Sequence, residues 1–405
     1  MMEEYKELQN YKIIDYVKYI AAIMIVCIHC TQLFPIDILD FFFRQIICRV
    51  AVPFFFISSA YFFRKGYNKD QKYLGKYLKK SIYSYLLWSI IFLPIGLNWI
   101  QQNLTISEEL MPIAFLVGLF HTGTYYHLWY IPAMIFSLFA ITKLLKYFGY
   151  KTIIIVCFGF FLFGSIETYY GFLQNGWFKD FFDLLISFMF TTRSGLFYGL
   201  IFVTLGFYIV DHQEDLRRNI KGMRIATIVC ALLLIIEGFA IYNVPGLDMN
   251  FLIMLVPFSF VSFITLLSCP IAIKNDTRRV RELSKYIYFI HPVCIVIIEE
   301  IGKAFDLPIL ASGIVSLVFI LILSHMLSSF IIVLHQVYLK RKTIFFSLII
   351  GMLFTSITAS YFYEQIPSSF VVKFEWTSCI CFFLSFTSCY LLTLRKIRKQ
   401  GRLNF

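Results

Sequence analysis

Long apolar runs recur along this chain, parted by short segments rich in Lys and Arg, and no other feature restricts its folding so severely. A helix needs about 20 mostly apolar residues to cross the hydrocarbon core of a bilayer. Twelve segments qualify: residues 11–33, 41–63, 81–100, 126–146, 151–167, 195–210, 224–243, 251–273, 284–302, 309–338, 343–363 and 371–394. Apolar side chains make up 59% of the sequence and charged ones 15%, which excludes a soluble globule. The chain reads as an all-α polytopic bundle of about twelve transmembrane helices.

Placing the N-terminus in the cytosol sends 29 of the 36 basic residues to one side of the membrane. They fall in residues 1–12, 64–80, 143–151, 217–224, 274–285, 340–342 and 395–402. That asymmetry is the positive-inside pattern. It predicts a multi-pass protein of the plasma membrane with both termini cytosolic. The net charge of +12 is thereby accounted for by topology, and nucleic acid is not expected as a partner. Nearly all of the ten cysteines stand in apolar runs without metal or disulfide spacing, so they read as small core residues. The acidic start MMEEYKELQN lacks the basic region of a signal peptide, so the first apolar run is expected to remain. On the far side, residues 168–194 contain FKDFFDLLISFMF, a run suited to the membrane interface.

A charge inside the bilayer costs about 2.5–3.5 kcal/mol on insertion scales, so each requires a reason. Asp15, Lys18 and His29 lie in the first run, Arg44 and Arg49 in the second, Glu237 in the seventh and His291 in the ninth. Asp15 and Lys18 share a helix face and can neutralise each other, a packing ion pair or part of a site. His29 follows Lys18 by eleven residues, three turns and about 16 Å up the same face. Arg49 is expected near His29, holding a carboxylate, an acyl oxygen or a helix-end carbonyl. His291, counted from a span beginning at residue 284, falls too close to the cytosol to share a proton with His29.

Several segments resemble the acyltransferase-3 family of integral membrane proteins. They are IDYVKYIAAIMIVCIHC (Asp15, Lys18, His29), RVAVPFFFISSAYF (Arg49, Pro53), YLGKYLKKSIYSYLLWS, HLWYIPAMI (His127, Trp129, Tyr130), RSGLFYGLIFVTLG (Arg193) and SKYIYFIHPVCI (His291, Pro292). Lys18 stands where the family usually has Arg, and Ser59-Ala60-Tyr61 replaces its common Ser-Gly-Tyr. In these details the chain is most similar to the membrane half of the vancomycin-resistance serine racemases, without a racemase domain in these residues. The resemblance implies a cytosolic tail at 1–10, a ten-helix acyltransferase domain at 11–340, and two further helices with a basic tail at 341–405.

The activity it implies is transfer of an acyl group, usually acetyl, from cytosolic acyl-CoA to a hydroxyl of an envelope glycan or lipid-linked sugar. No bound cofactor or metal is expected, and acyl-CoA is a co-substrate. His29 suits the general base, since imidazole titrates near neutrality, with Arg49, Lys18 and Asp15 completing the catalytic set. Lys72, Lys76, Lys79 and Lys80, with His291, are assigned to acyl-CoA, although positive-inside anchoring alone explains most of those lysines. His127, Trp129, Tyr130 and Arg193 are assigned to the acceptor, with an interfacial aromatic belt as the other reading of Trp129 and Tyr130. The rival function is a transporter or flippase of an amino acid or lipid-linked sugar, with the buried charges as its pathway.

Overall fold

The computed structural model describes residues 11–92, 95–96, 118–271, 273 and 275–338. Among these, all regular structure is helical. The tail at 1–10 and the spans expected at 343–363 and 371–394, within the segment 341–405, lie outside the described residues. Two compact units meet at Ser328 and Ser329. Of the second, only the last turns of one helix are described, and the site lies wholly in the first.

Helix α1 is Tyr11–His29 and α2 is Asp37–Lys69, the latter containing a π-helical stretch, Phe42–Ile47, and a tight turn, Cys48–Val50. There follow α3 (Tyr73–Ile91), α4 (Tyr130–Leu144), α5 (Tyr150–Ser165), α6 (Trp177–Met189) and α7 (Gly195–Asp211). Next come α8 (Gln213–Arg218), α9 (Ile220–Ala240), α10 (Leu255–Leu267), α11 (Arg278–Ala304) and α12 (Gly313–Tyr338). Among the described residues, three stretches are long and apolar enough to cross a membrane unaided: Asp37–Lys69, Ile220–Ala240 and Gly313–Leu334. The apolar helices Tyr130–Leu144, Tyr150–Ser165, Gly195–Asp211 and Leu255–Leu267 are shorter.

Two boundaries differ from those expected. The basic segment 64–80 is mostly not a loop: α2 continues to Lys69 and α3 begins at Tyr73, so Lys76, Lys79 and Lys80 stand on a helix. Lysine is a good helix former, and these side chains reach solvent without interrupting the ladder. Helix α11 likewise starts at Arg278, two turns before its first long apolar stretch.

The apolar helices divide into two kinds. In α7 the residues Leu200–Phe207 are all buried, as expected of a helix that is apolar all round and packed on every side. Its Gly206 lies where α2 presses closest: a Cβ there would stand 2.7 Å from the Ala60 side chain and from the Ile57 carbonyl. Helix α9 is apolar over most of its length, yet only Leu234 and Gly238 are buried. Ile225, Ile228, Leu232 and Ile236 face outward, which only a lipid solvent tolerates. Helix α6 presents Trp177, Phe181, Leu184 and Phe188 outward along one stripe while Phe182 turns inward, the pattern of a helix lying in an interface.

Candidate active site

The site is built on α1 and α11, which pack side by side and run in the same direction. At the lysine-rich end, Asp15 accepts a hydrogen bond from Thr277 Oγ1 at 2.6 Å and pairs with Arg281 at 3.7 Å. Fourteen residues separate Asp15 from His29, and fourteen separate Thr277 from His291. Each helix therefore climbs about 21 Å between the two contacts. The upper contact joins His29 Nδ1 to His291 Nε2 at 2.9 Å. The expectation that His291 lies too low to meet His29 is therefore corrected. It comes from starting the ninth span at residue 284, whereas the helix begins at Arg278.

The two imidazoles are nearly parallel, 10° apart, with centroids 5.1 Å from each other. His291 is fully buried, and its Nδ1 faces the carbonyl oxygens of Tyr288 (2.9 Å) and Ile287 (3.1 Å). Carbonyls only accept, so the hydrogen-bond network assigns the His291 proton to Nδ1 and leaves its Nε2 as an acceptor. His29 must then donate from Nδ1, and its own Nε2 carries the free lone pair. Tyr126 sets its ring edge-on to His29 at 4.8 Å.

His127 crosses His291 with ring centroids at 5.5 Å and is buried, enclosed by Phe92, Tyr125 and Tyr288. Its loop is folded back at Gly123, where φ is +80° and a Cβ would lie 2.6 Å from the Trp129 amide nitrogen. Only glycine fits there at little cost. Tyr288 donates its hydroxyl to the His127 carbonyl at 2.5 Å, tying that loop to α11.

Two arginines lie within electrostatic range of His29, Arg193 and Arg49. Arg49 donates Nε to Gln45 Oε1 at 2.9 Å and an Nη to Asn250 Oδ1 at 2.5 Å. Arg193 lies over the Trp129 ring at 5.4 Å and pairs with Asp248 at 3.6 Å, while Asn250 donates to that same Asp248. Both arginines thus hang from the 248–250 loop. Each also adjoins a π-helical turn, Phe42–Ile47 before Arg49 and Gly195–Gly199 after Arg193, a distortion common at functional sites. Buried Glu167 ties the loops together: it accepts from the Thr192 amide at 2.8 Å and from Thr191 Oγ1 at 3.1 Å, and its carbonyl accepts from the Leu247 amide.

Several sequence-assigned residues stand elsewhere. Asp15 and Lys18 are three to four turns below His29. Asp15 is satisfied by α11, and the Lys18 ammonium lies over Phe62 at 4.8 Å, so neither reaches the atoms His29 would act on. Trp129 is buried against Tyr198 and Phe56 with Arg193 on its face, which removes it from both a belt and a sugar-stacking platform. Tyr130 meets Ser59 through its hydroxyl at 3.2 Å, ten residues along α2 from Arg49. Lys72, Lys76, Lys79 and Lys80 are exposed at the far end. Lys76 pairs with Asp70 at 3.2 Å, and the Lys72 amide, followed by Lys76, holds the Asp70 carboxyl below its ordinary value. Glu237 is structural: it accepts from Tyr169 and from the amides of Ile253 (2.6 Å) and Met254 (2.9 Å) just ahead of α10.

Sequence reasoning missed Tyr126, Gln45, Asn250, Asp248 and Glu167. Gln45 alone left a signal, four residues before Arg49 on one helix.

Residues 11–334 match the acyltransferase-3 family, described as an acyltransferase domain. An amino-acid racemase of Enterococcus faecalis is 28% identical over 345 residues, 81% of this chain and 46% of that protein. A serine/alanine racemase of Enterococcus gallinarum is 29% identical over 296 residues, 70% of this chain and 40% of its own length. A second amino-acid racemase of Enterococcus faecalis is 30% identical over 227 residues, 55% of this chain and 31% of that protein. The chain thus spans less than half the length of each of these relatives. No solved structure matches.

Proposed function

This chain belongs to the acyltransferase-3 family and is a membrane-integral acyltransferase; from that premise we propose that it moves an acyl group, acetyl above all, from cytosolic acyl-CoA to a hydroxyl of an envelope glycan or lipid-linked sugar. In this reading the protein is a twelve-helix protein of the plasma membrane with both termini in the cytosol. The observation that carries the reading is the His29–His291 hydrogen bond, which leaves the Nε2 lone pair of a partly buried imidazole free to take a proton.

The acceptor hydroxyl gives its proton to His29 Nε2 while its oxygen bonds to the thioester carbon. The carbonyl oxygen becomes an oxyanion, for which Arg49 and Arg193 are the nearby cations. Collapse of the intermediate breaks the carbon–sulfur bond, and the departing thiolate of CoA takes the proton back from His29. The products are an ester and free CoA. The acyl group has to climb from the lysine-rich end to the level of His29, about 21 Å along α1, on the arm of CoA. Lys72, Lys76, Lys79 and Lys80, exposed at that end, hold the phosphates in this reading. Arg193 lines the acceptor side in this reading, with Tyr126 in place of Trp129 and His127, both of which are buried.

The test is radiolabelled acetyl-CoA added to membranes carrying the wild-type protein or His29→Ala. Wild-type protein releases free CoA and labels a glycan or lipid, and the variant does neither although it is present at normal level. A second reading, passage of an amino acid without chemistry, draws on the names of the racemase relatives. It is favoured if wild-type membranes never deacylate acetyl-CoA but vesicles take up labelled serine.

A further inference from the structure

We propose that Pro292 and His291 together set the tautomer of His29, His291 acting as a positioning residue and Pro292 freeing the carbonyl that orients it; this rests on the reading of His29 as the base. Pro292 lies inside α11 and has no N–H, so the helix ladder places no claim on the carbonyl four residues earlier, that of Tyr288. That carbonyl is the one 2.9 Å from His291 Nδ1. An imidazole with its proton held at Nδ1 has a bare Nε2. The only assignment then consistent with 2.9 Å between His291 Nε2 and His29 Nδ1 is a proton on His29 Nδ1 and a bare His29 Nε2. The order of polar groups is Tyr288 carbonyl, His291, His29, acceptor hydroxyl, and each link sets the direction of the next.

Burial makes the device strict. His291 is fully buried, so water does not substitute for a missing partner. With an ordinary residue at 292, a backbone N–H competes for the Tyr288 oxygen, Nδ1 keeps only its longer contact with the Ile287 carbonyl, and His291 is freer to place its proton on Nε2. His29 Nδ1 would then have to accept, its Nε2 would carry the proton, and it could no longer take one from a hydroxyl. The sequence His-Pro is thus the part of α11 that orients a base carried on α1. The same geometry removes His291 from the acyl-CoA contacts: its two ring nitrogens are both engaged inside the bundle.

Nitrogen-15 NMR of histidine-labelled wild-type protein in lipid nanodiscs reads the tautomer directly. His29 is expected protonated at Nδ1 and bare at Nε2; a signal from the opposite tautomer overturns the proposal. Kinetics give the second arm. His291→Gln retains an oxygen that accepts from His29 Nδ1 and is expected to keep kcat within about tenfold of wild type, whereas His291→Phe keeps the bulk, removes the acceptor and should lower kcat by about 10²- to 10⁴-fold with KM for acetyl-CoA nearly unchanged. Pro292→Ala is expected between them. If both His291 variants instead raise KM for acetyl-CoA at constant kcat, His291 is a CoA contact and the proposal falls. His29→Ala in the same assay separates the two levels: an active His29→Ala ends the reading of the base itself, while an inactive one beside a fully active His291→Phe ends only this inference. Should His291→Phe not fold, the wild-type spectrum and Pro292→Ala still decide.

Discussion

The two ends of the α1–α11 pair carry polar groups on one continuous helix face, yet they are finished differently. At the lysine-rich end Asp15 has its hydrogen bond from Thr277 and its ion pair with Arg281. Fourteen residues higher, His29 uses one ring nitrogen on His291 and leaves the other uncommitted, within electrostatic range of two arginines. A polar cluster that satisfies itself holds helices together. One that leaves a lone pair unspent and partly exposed has kept something for a ligand. Glu237 illustrates the first case again, its carboxylate filled by two amides and a tyrosine hydroxyl.

The contrast is broken most sharply by removing the groups at its upper end. His29→Ala should lower kcat by about 10²- to 10⁴-fold with normal protein in the membrane, measured as release of free CoA from acetyl-CoA. A well-expressed variant with wild-type turnover would place the chemistry elsewhere. Arg49→Ala comes next, at about 10²- to 10³-fold if its guanidinium faces the oxyanion. Arg49→Lys should recover only part of this, because an ammonium cannot serve Gln45 and Asn250 together as the fork does.

At the lower end the expected effect changes kind. Asp15→Ala strands the buried Thr277 hydroxyl and should cost about 1–3 kcal/mol of stability, seen as a lower melting temperature in detergent, with turnover per folded molecule altered less than tenfold. A loss of turnover as large as that of His29→Ala would mean the two ends act as one. Smallest of all, the combined change of Lys76, Lys79 and Lys80 to Gln should raise KM for acetyl-CoA a few-fold and leave kcat alone, since binding common to ground and transition states is what is removed. Unchanged KM with a lower protein level would assign those lysines to membrane orientation instead.

Much of this is legible in the sequence. The apolar runs predicted α1, α2, α4, α5, α7, α9, α10 and α12 to within several residues, because the lipid-facing and core-facing parts of a span are equally apolar and the signal needs no partner. His29 and Arg49 stood out because charge within such a run is costly. Three features of the structure depart from the sequence reading. Counting from a hydropathy boundary sets His291 too low, because the charged first turns of α11 are helical too. Trp129 is assigned to the acceptor, with a belt as the alternative, because apolar surroundings in sequence do not distinguish an accessible ring from a core one. The 64–80 segment looked like a loop because charge was taken for a break, whereas lysines on an exposed helical face break nothing.

Helical class and the family motifs belong to the sequence alone, since each depends on residues near one another in the chain and on the bilayer as solvent. Which histidine holds which was settled only in three dimensions. His29 and His291 are 262 residues apart in sequence, and their contact depends on two helices packing in parallel register, a property of the assembled bundle that no local pattern encodes. The tautomer follows from the same packing: a proline in one helix frees a carbonyl, and the effect is felt at a ring nitrogen on another.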